Sequence, residues 1–185
     1  MIDVELYDFS NRRDYYFGLG DNCFLSHNNK TYVLIGEDKD VNFDYCKEND
    51  IQVIDIGHRG GTLVLTDSAI GFAHIGKDFG NRFSNLIIAN LVLFLKSKGL
   101  NVKFDGNDIL VDGYKVSSMG KAVVKDKTYF TLQISMNSDV ELIRKICLKP
   151  MIKTPKGLSD FGLDREEIVN FIKLFVDNYN RGDIK

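Results

Sequence analysis

The sequence predicts an α+β fold, a mixed and mainly antiparallel sheet packed with helices, and three observations carry that expectation. Short apolar runs bounded by glycine or charge recur between residues 31 and 75. An Asp112-Gly113 pair stands between two strand-like runs, where its tolerance of positive φ suits a tight hairpin turn. Helical patterns follow, two of them opening on capping-box sequences. Strands, hairpins and a few helices in this mixture make α+β rather than a doubly wound parallel sheet.

Taken in order, Thr31–Gly36 (TYVLIG) is an apolar run closed by glycine and reads as a buried strand. Asn42–Asn49 (NFDYCKEN) reads as a short helix leading into the strand Ile51–Ile56 (IQVIDI). Beyond the Gly60–Gly61 pair, Thr62–Leu65 and Ile70–Ile75 are two further strands. Phe83–Lys98 is apolar nearly all round, with Gly99 at the C-cap position, so a helix covered on most sides is expected. Asn107–Val111 and Tyr114–Ser118 flank the Asp-Gly turn as a hairpin. Thr128–Met136 alternates, with Phe130, Leu132, Ile134 and Met136 on one face and Tyr129, Thr131, Gln133 and Ser135 on the other. Ser138-Asp-Val-Glu141 opens a helix that ends before Pro150. Asp164-Arg-Glu-Glu167 opens the last helix, with Ile168, Phe171, Ile172 and Phe175 on one stripe.

At 185 residues and 44% hydrophobic, the chain suffices for one domain whose core needs no disulfide. Its net charge of −2, from 24 Lys+Arg against 26 Asp+Glu, argues against a protein built to grip a nucleic-acid backbone. The three cysteines, Cys23, Cys46 and Cys147, are odd in number and widely spaced, which is neither a disulfide framework nor a zinc signature and suits a reducing compartment. Met1-Ile-Asp-Val-Glu-Leu shows no basic region leading into an apolar run, so no secretory signal is expected, and the most apolar stretch, Leu86–Leu95, is about half a bilayer span and contains Asn90. A cytoplasmic protein with no nucleic-acid or membrane partner is expected.

Two constellations could carry chemistry. In His58-Arg59-Gly60-Gly61-Thr62, paired glycines let a backbone approach a ligand and offer N–H groups to an anion, and Arg59 could fork onto a carboxylate or phosphate. A plain turn with an exposed arginine explains the same residues. The spacing is neither a Walker loop nor a dinucleotide fingerprint. On the hairpin, Asn107, Asp108 and Lys115 are expected to converge at one end of a sheet. A lysine ammonium there suits developing negative charge on oxygen, and the aspartate could hold that ammonium or a metal. A solvated lysine on a hairpin is the alternative.

Four blocks together carry a family resemblance: Tyr32-Val-Leu-Ile-Gly36, residues 42–53 (NFDYCKENDIQV), Arg59-Gly-Gly-Thr62, and residues 107–117 (NDILVDGYKVS). In this order they resemble the catalytic domain of the biotin/lipoate protein ligase superfamily, most closely its lipoate–protein ligase A branch. The segments Lys115–Gly120 and Asn137-Ser-Asp-Val140 are similar to the octanoyltransferase branch. The resemblance implies one ligase-like domain over residues 1–185, without the accessory C-terminal domain. It implies Lys115 as the central catalytic residue, with Arg59, Gly60, Gly61, Thr62, Asn107, Asp108 and Ser117 binding substrate and Asp108 also placing a metal. It further implies ATP and Mg²⁺, lipoate or a similar acid activated as an acyl-adenylate, and an acceptor protein carrying a target lysine. The chain departs from the family pattern at Glu37, at Leu65 or Thr66, at Phe130 and at Lys149, where an arginine, two histidines and a cysteine are expected. Two alternatives follow: a non-catalytic binding module of the same fold, and an ATP-independent octanoyl or lipoyl transferase.

Overall fold

A computed structural model of the chain describes residues 1–5, 13–19, 21–37, 39–56, 61–77, 81–124 and 126–184. The large sheet has the spatial order β1 (Ile2–Glu5), β2 (Asn22–His27), β6 (Ile70–Gly76), β11 (Lys127–Ile134) and β10 (Ser117–Val124). The first pair is parallel and the rest are antiparallel. The alternation expected in β11 sets its register: Phe130 opposes His74, Leu132 opposes Phe72 and Ile134 opposes Ile70. A slip of one residue would turn that whole apolar set to the other face.

That face packs under α3 (Arg82–Ser97) and α5 (Arg165–Arg181) in the main core. Phe83 sits at its centre, stacked on Phe72 at 5.9 Å and on His74 at 4.0 Å, with Phe175 edge-on at 5.6 Å. Each such buried aromatic or aliphatic side chain contributes roughly 1.5–3 kcal/mol. On the sheet's other face Phe24, Ala73 and Ile75 pack with Tyr16 of α1 (Arg13–Gly18). The helix α3 is covered less than its composition suggested. Phe83, Ser84, Ile87, Leu91 and Leu95 are buried, while Leu93 is 64% exposed, because the sheet lies against one side of the helix.

In a second sheet β3 (Tyr32–Ile35) lies between β4 (Gln52–Asp55), parallel to it, and β5 (Leu63–Leu65), antiparallel. The parallel crossover runs through α2 (Phe43–Glu48), capped by Asn42, whose Oδ1 accepts from Tyr45 N at 3.0 Å. Val33, Ile35, Cys46 and Ile146 pack one side of this sheet against α2 and α4 (Val140–Ile146). A third sheet joins β7 (Val102–Asp105), β8 (Asp108–Val111) and β9 (Tyr114–Lys115). Its turn has φ of 50° at Asp112 and 84° at Gly113, as the Asp-Gly pair requires.

The two expected capping boxes come out differently. For α4 the cap is Asp139 rather than Ser138, its Oδ1 accepting from Leu142 N at 2.9 Å, and Glu141 pairs with Arg144 instead of returning to the cap. For α5 the box forms in full between Asp164 and Glu167. Glu167 also accepts from Lys98, and that bond, followed by the Asp164 N–H, holds its carboxyl below the ordinary value of 4.5. A depressed carboxyl adds stability above its unfolded pKa and loses it as pH falls through the folded value. Glu167→Gln is therefore expected to destabilise the protein at pH 7, with the difference from wild type shrinking as pH falls below 4.5. Urea unfolding across this pH range checks this; a loss that does not change with pH would remove the charge from the cap. No helix among the described residues is long and apolar enough to cross a membrane.

Candidate active site

Lys115 closes the short return strand of the hairpin and Asp108 opens its first strand. The antiparallel register sets Lys115 opposite Leu110, and Lys115 Nζ reaches Asp108 Oδ1 at 2.9 Å. After Val116, whose N–H goes to Ile109 O at 3.0 Å, the chain leaves the small sheet and enters β10 of the large one. Lys115 thus stands on the seam between two sheets, which is why the pair lies at the edge of a hollow rather than on a flat surface.

The hollow is a cavity of about 420 Å³. Leu63, Leu65, Ala69, Ile134, Ile143 and Met151 are among its apolar lining residues, with Thr62, Ser117, Gln133 and Ser135 among the polar ones. Asp108, Lys115 and Lys153 supply its charged groups. Lys153 comes from the segment 147–157, which runs from α4 to the short 3-10 helix Leu158–Phe161. This segment crosses Lys115 directly: Lys115 N donates to Thr154 O at 2.9 Å, and Lys156 N donates to Lys115 O at 3.0 Å. Lys153 Nζ meets Asp108 Oδ2 at 2.9 Å, Asp105 Oδ2 at 3.0 Å and Asp105 O at 3.1 Å. Its hydrogen bond pulls the Asp105 carboxyl below the ordinary range, and the bonds to Asp108 and Asp105 raise Lys153 in turn.

Of the residues singled out from sequence, the structure brings Thr62, Asp108, Lys115 and Ser117 to this cavity. Ser117 is buried and its Oγ accepts from Ile109 N at 3.0 Å, tying β10 to β8. Asn107 does not join them: it is exposed in the turn before β8, and its carbonyl accepts from Met119 N at 3.0 Å. Gly61 is exposed, while Arg59, Gly60 and the neighbouring His58 lie outside the described residues.

Sequence reasoning passed over Lys153 and Gln133. Gln133 lines the cavity, and its Oε1 is buried with no hydrogen-bond partner among the described residues. The polar face of β11 was the available signal, since it turns toward the cavity at this end. Lys153 had no such signal, being one of five basic residues between 144 and 156. Cys147 packs, half-buried, against the core cluster of Val33, Ile35, Cys46 and Ile146 and also borders the cavity. Burial, then the neighbouring Cys46, pushes its thiol above the ordinary value of 9.0, so it is protonated at neutral pH and no activated nucleophile.

A divalent cation fits these residues poorly. Each oxygen of Asp108 already faces an ammonium, and no group of three His, Cys, Asp or Glu converges among the described residues. The lining mixes aliphatic side chains with hydroxyls and the lysine–carboxylate pair, which suits a ligand that has both an apolar part and an acid group.

A family model described as the lipoyl protein ligase A/B catalytic domain matches residues 12–173. Lipoate–protein ligase 1 of Staphylococcus aureus is 25% identical over 171 residues, which cover 83% of this chain and 52% of that protein. The present chain therefore spans about half the length of this curated relative. Among solved structures, the bi-partite lipoate protein ligase of Thermoplasma acidophilum, from a study that includes its E2 lipoyl domain, superposes with a TM-score of 0.76. It is 16% identical over 97% of this chain and 82% of that one. A lipoate-protein ligase A bound with ATP superposes with a TM-score of 0.74 at 18% identity, over 97% of this chain and 84% of that one. These two likenesses establish the fold.

Proposed function

Because the chain belongs to the lipoyl protein ligase A/B catalytic-domain family, we propose that its cavity binds lipoate or a related acid and activates it with ATP as an acyl-adenylate. The acyl group then passes to a lysine of an acceptor protein. We read residues 1–185 as one such catalytic-type domain. The observation that carries the reading is the Lys115–Asp108 pair, 2.9 Å apart, on a cavity that also presents the apolar side chains of Leu63, Val64, Leu65, Ile134, Ile143 and Met151. The name of the staphylococcal relative supports lipoate, the ATP-bound neighbour supports ATP, and the archaeal ligase studied with its lipoyl domain supports a protein acceptor.

In this reading the apolar wall takes the acyl chain, and the carboxylate end enters beside Lys115. The Lys115 ammonium exchanges Asp108 for the incoming oxygens and stabilises the negative charge that develops as carboxylate attacks phosphorus. The partial burial of Lys115 and Asp108 strengthens that attraction relative to water. Thr62 and Ser117 stand where they can orient the acid, and Arg59, Gly60 and Gly61 line the acyl and phosphate path by the family resemblance. Mg²⁺ would arrive on the nucleotide and would neutralise phosphate charge there; no step above needs a protein-held metal.

The test is direct. Incubated with ATP and either lipoate or octanoate, the protein should release pyrophosphate only when acid is present, with an acyl-adenylate visible by mass spectrometry. Transfer to a lipoyl-type acceptor domain should follow. Acyl transfer from a carrier-protein thioester without ATP would replace this reading with the transferase. Tight binding of an adenylate analogue with neither activity would make the chain a binding module.

A further inference from the structure

The geometry points to Lys153 as a positioning residue: its ammonium latches the 147–157 segment over the cavity and, through Asp108, sets where the Lys115 ammonium stands. The inference rests on the cavity being the acid-binding site proposed above. Backbone contacts fix the segment at both ends. At its start Cys147 bridges Val41, and Leu148 N donates to Asp40 O at 3.1 Å. At its end Leu158 N donates to Ser135 O at 2.9 Å and Ser159 N to Met136 O at 3.0 Å. The middle is different. Pro150 has no N–H to give, and Ile152 is 98% exposed although it borders the cavity mouth.

Here Lys153 reaches inward. An ammonium has three N–H donors, and three oxygens at 2.9, 3.0 and 3.1 Å meet them. A single surface ion pair contributes little, because ordering a long side chain offsets the attraction. Three convergent acceptors, one of them a main-chain carbonyl, define one position for this side chain and hence for the backbone that carries it. The segment then pins Lys115 through its amide and its carbonyl, by way of Thr154 and Lys156.

The second consequence falls on Asp108. One of its oxygens faces Lys115 and the other faces Lys153. Lys153 therefore fixes the plane of the carboxylate and engages one of its two oxygens. Lys115 is held by one oxygen, so moving it to an entering anion breaks less than a two-oxygen pairing would. Without Lys153 the carboxylate can turn fully onto Lys115, and Met151 and Ile152 lose the anchor beside them.

Lys153→Met, which keeps length and removes charge, tests both parts, with Lys153→Arg as the charge-preserving control. In the methionine variant the Lys115 and Lys156 amides should exchange hydrogen at least about tenfold faster, while Val116, bonded to Ile109, stays as in wild type. The KM for the acid in pyrophosphate release should rise about tenfold with kcat changed far less, and arginine should restore most of both. Wild-type exchange at Lys115 and Lys156 would overturn the latch. Faster exchange with an unchanged KM would overturn the positioning of Lys115. If the wild type releases no pyrophosphate with any acid, the proposed activity fails, and the exchange rates still decide the latch.

Discussion

Lys115→Ala is expected to lower acid-dependent pyrophosphate release by about a hundred- to a thousandfold, the scale for losing a preorganised donor to a developing oxyanion. The fold should survive. The side chain is 32% exposed, and its ion pair with Asp108 contributes little at such a site. Lys115 meets the 147–157 segment through its main-chain N–H and carbonyl, which alanine retains. Asp108 keeps Lys153 as a partner, so no buried charge is stranded. The expected signature is therefore a near-wild-type melting temperature with activity almost abolished. Pyrophosphate release and circular dichroism on one preparation read both quantities. Turnover above a tenth of wild type would take Lys115 out of the chemistry.

Gly157→Ala should show the opposite signature, a large loss of stability. The φ at Gly157 is −86°, which any residue adopts, so the constraint is steric rather than conformational. A Cβ there would stand 2.1 Å from Met136 O and 2.5 Å from Asn137 Cα. Both obstacles are backbone and cannot swing aside. Overpacking of this kind costs about 1–3 kcal/mol, or more where the backbone must move. For a chain of this size each kcal/mol lowers Tm by roughly 2–4 °C. The shift would act on the segment that carries Lys153 and crosses Lys115, so activity per folded molecule should fall as well. A melting temperature within a degree of wild type would show that Gly157 does not sit as described.

Much of this was legible before the structure because the signals are local. The apolar alternation of Thr128–Met136 became β11 with Phe130, Leu132 and Ile134 buried, since a period of two fits a sheet with one covered face. Asp112-Gly113 gave the turn, and Asp164 with Glu167 gave the cap of α5, because each motif satisfies its own backbone groups within a few residues. The N-terminal strands β1 and β2 drew no expectation from sequence. Their pairing is parallel across the intervening residues 6–21, and nothing within either segment encodes a distant partner.

The site divides along the same line. The sequence by itself determined an α+β fold, a hairpin carrying Asp108 and Lys115, and a resemblance that pointed to Lys115. These depend on residue type and short spacing, which a linear chain displays. Only the tertiary structure decided that Asn107 stays in its turn, that Gln133 faces the cavity with its Oε1 buried, and that Lys153 shares Asp108 with Lys115. Lys153 is 45 residues from Asp108 along the chain. A lysine becomes part of a site through the oxygens that surround its ammonium, and long-range packing alone brings those together.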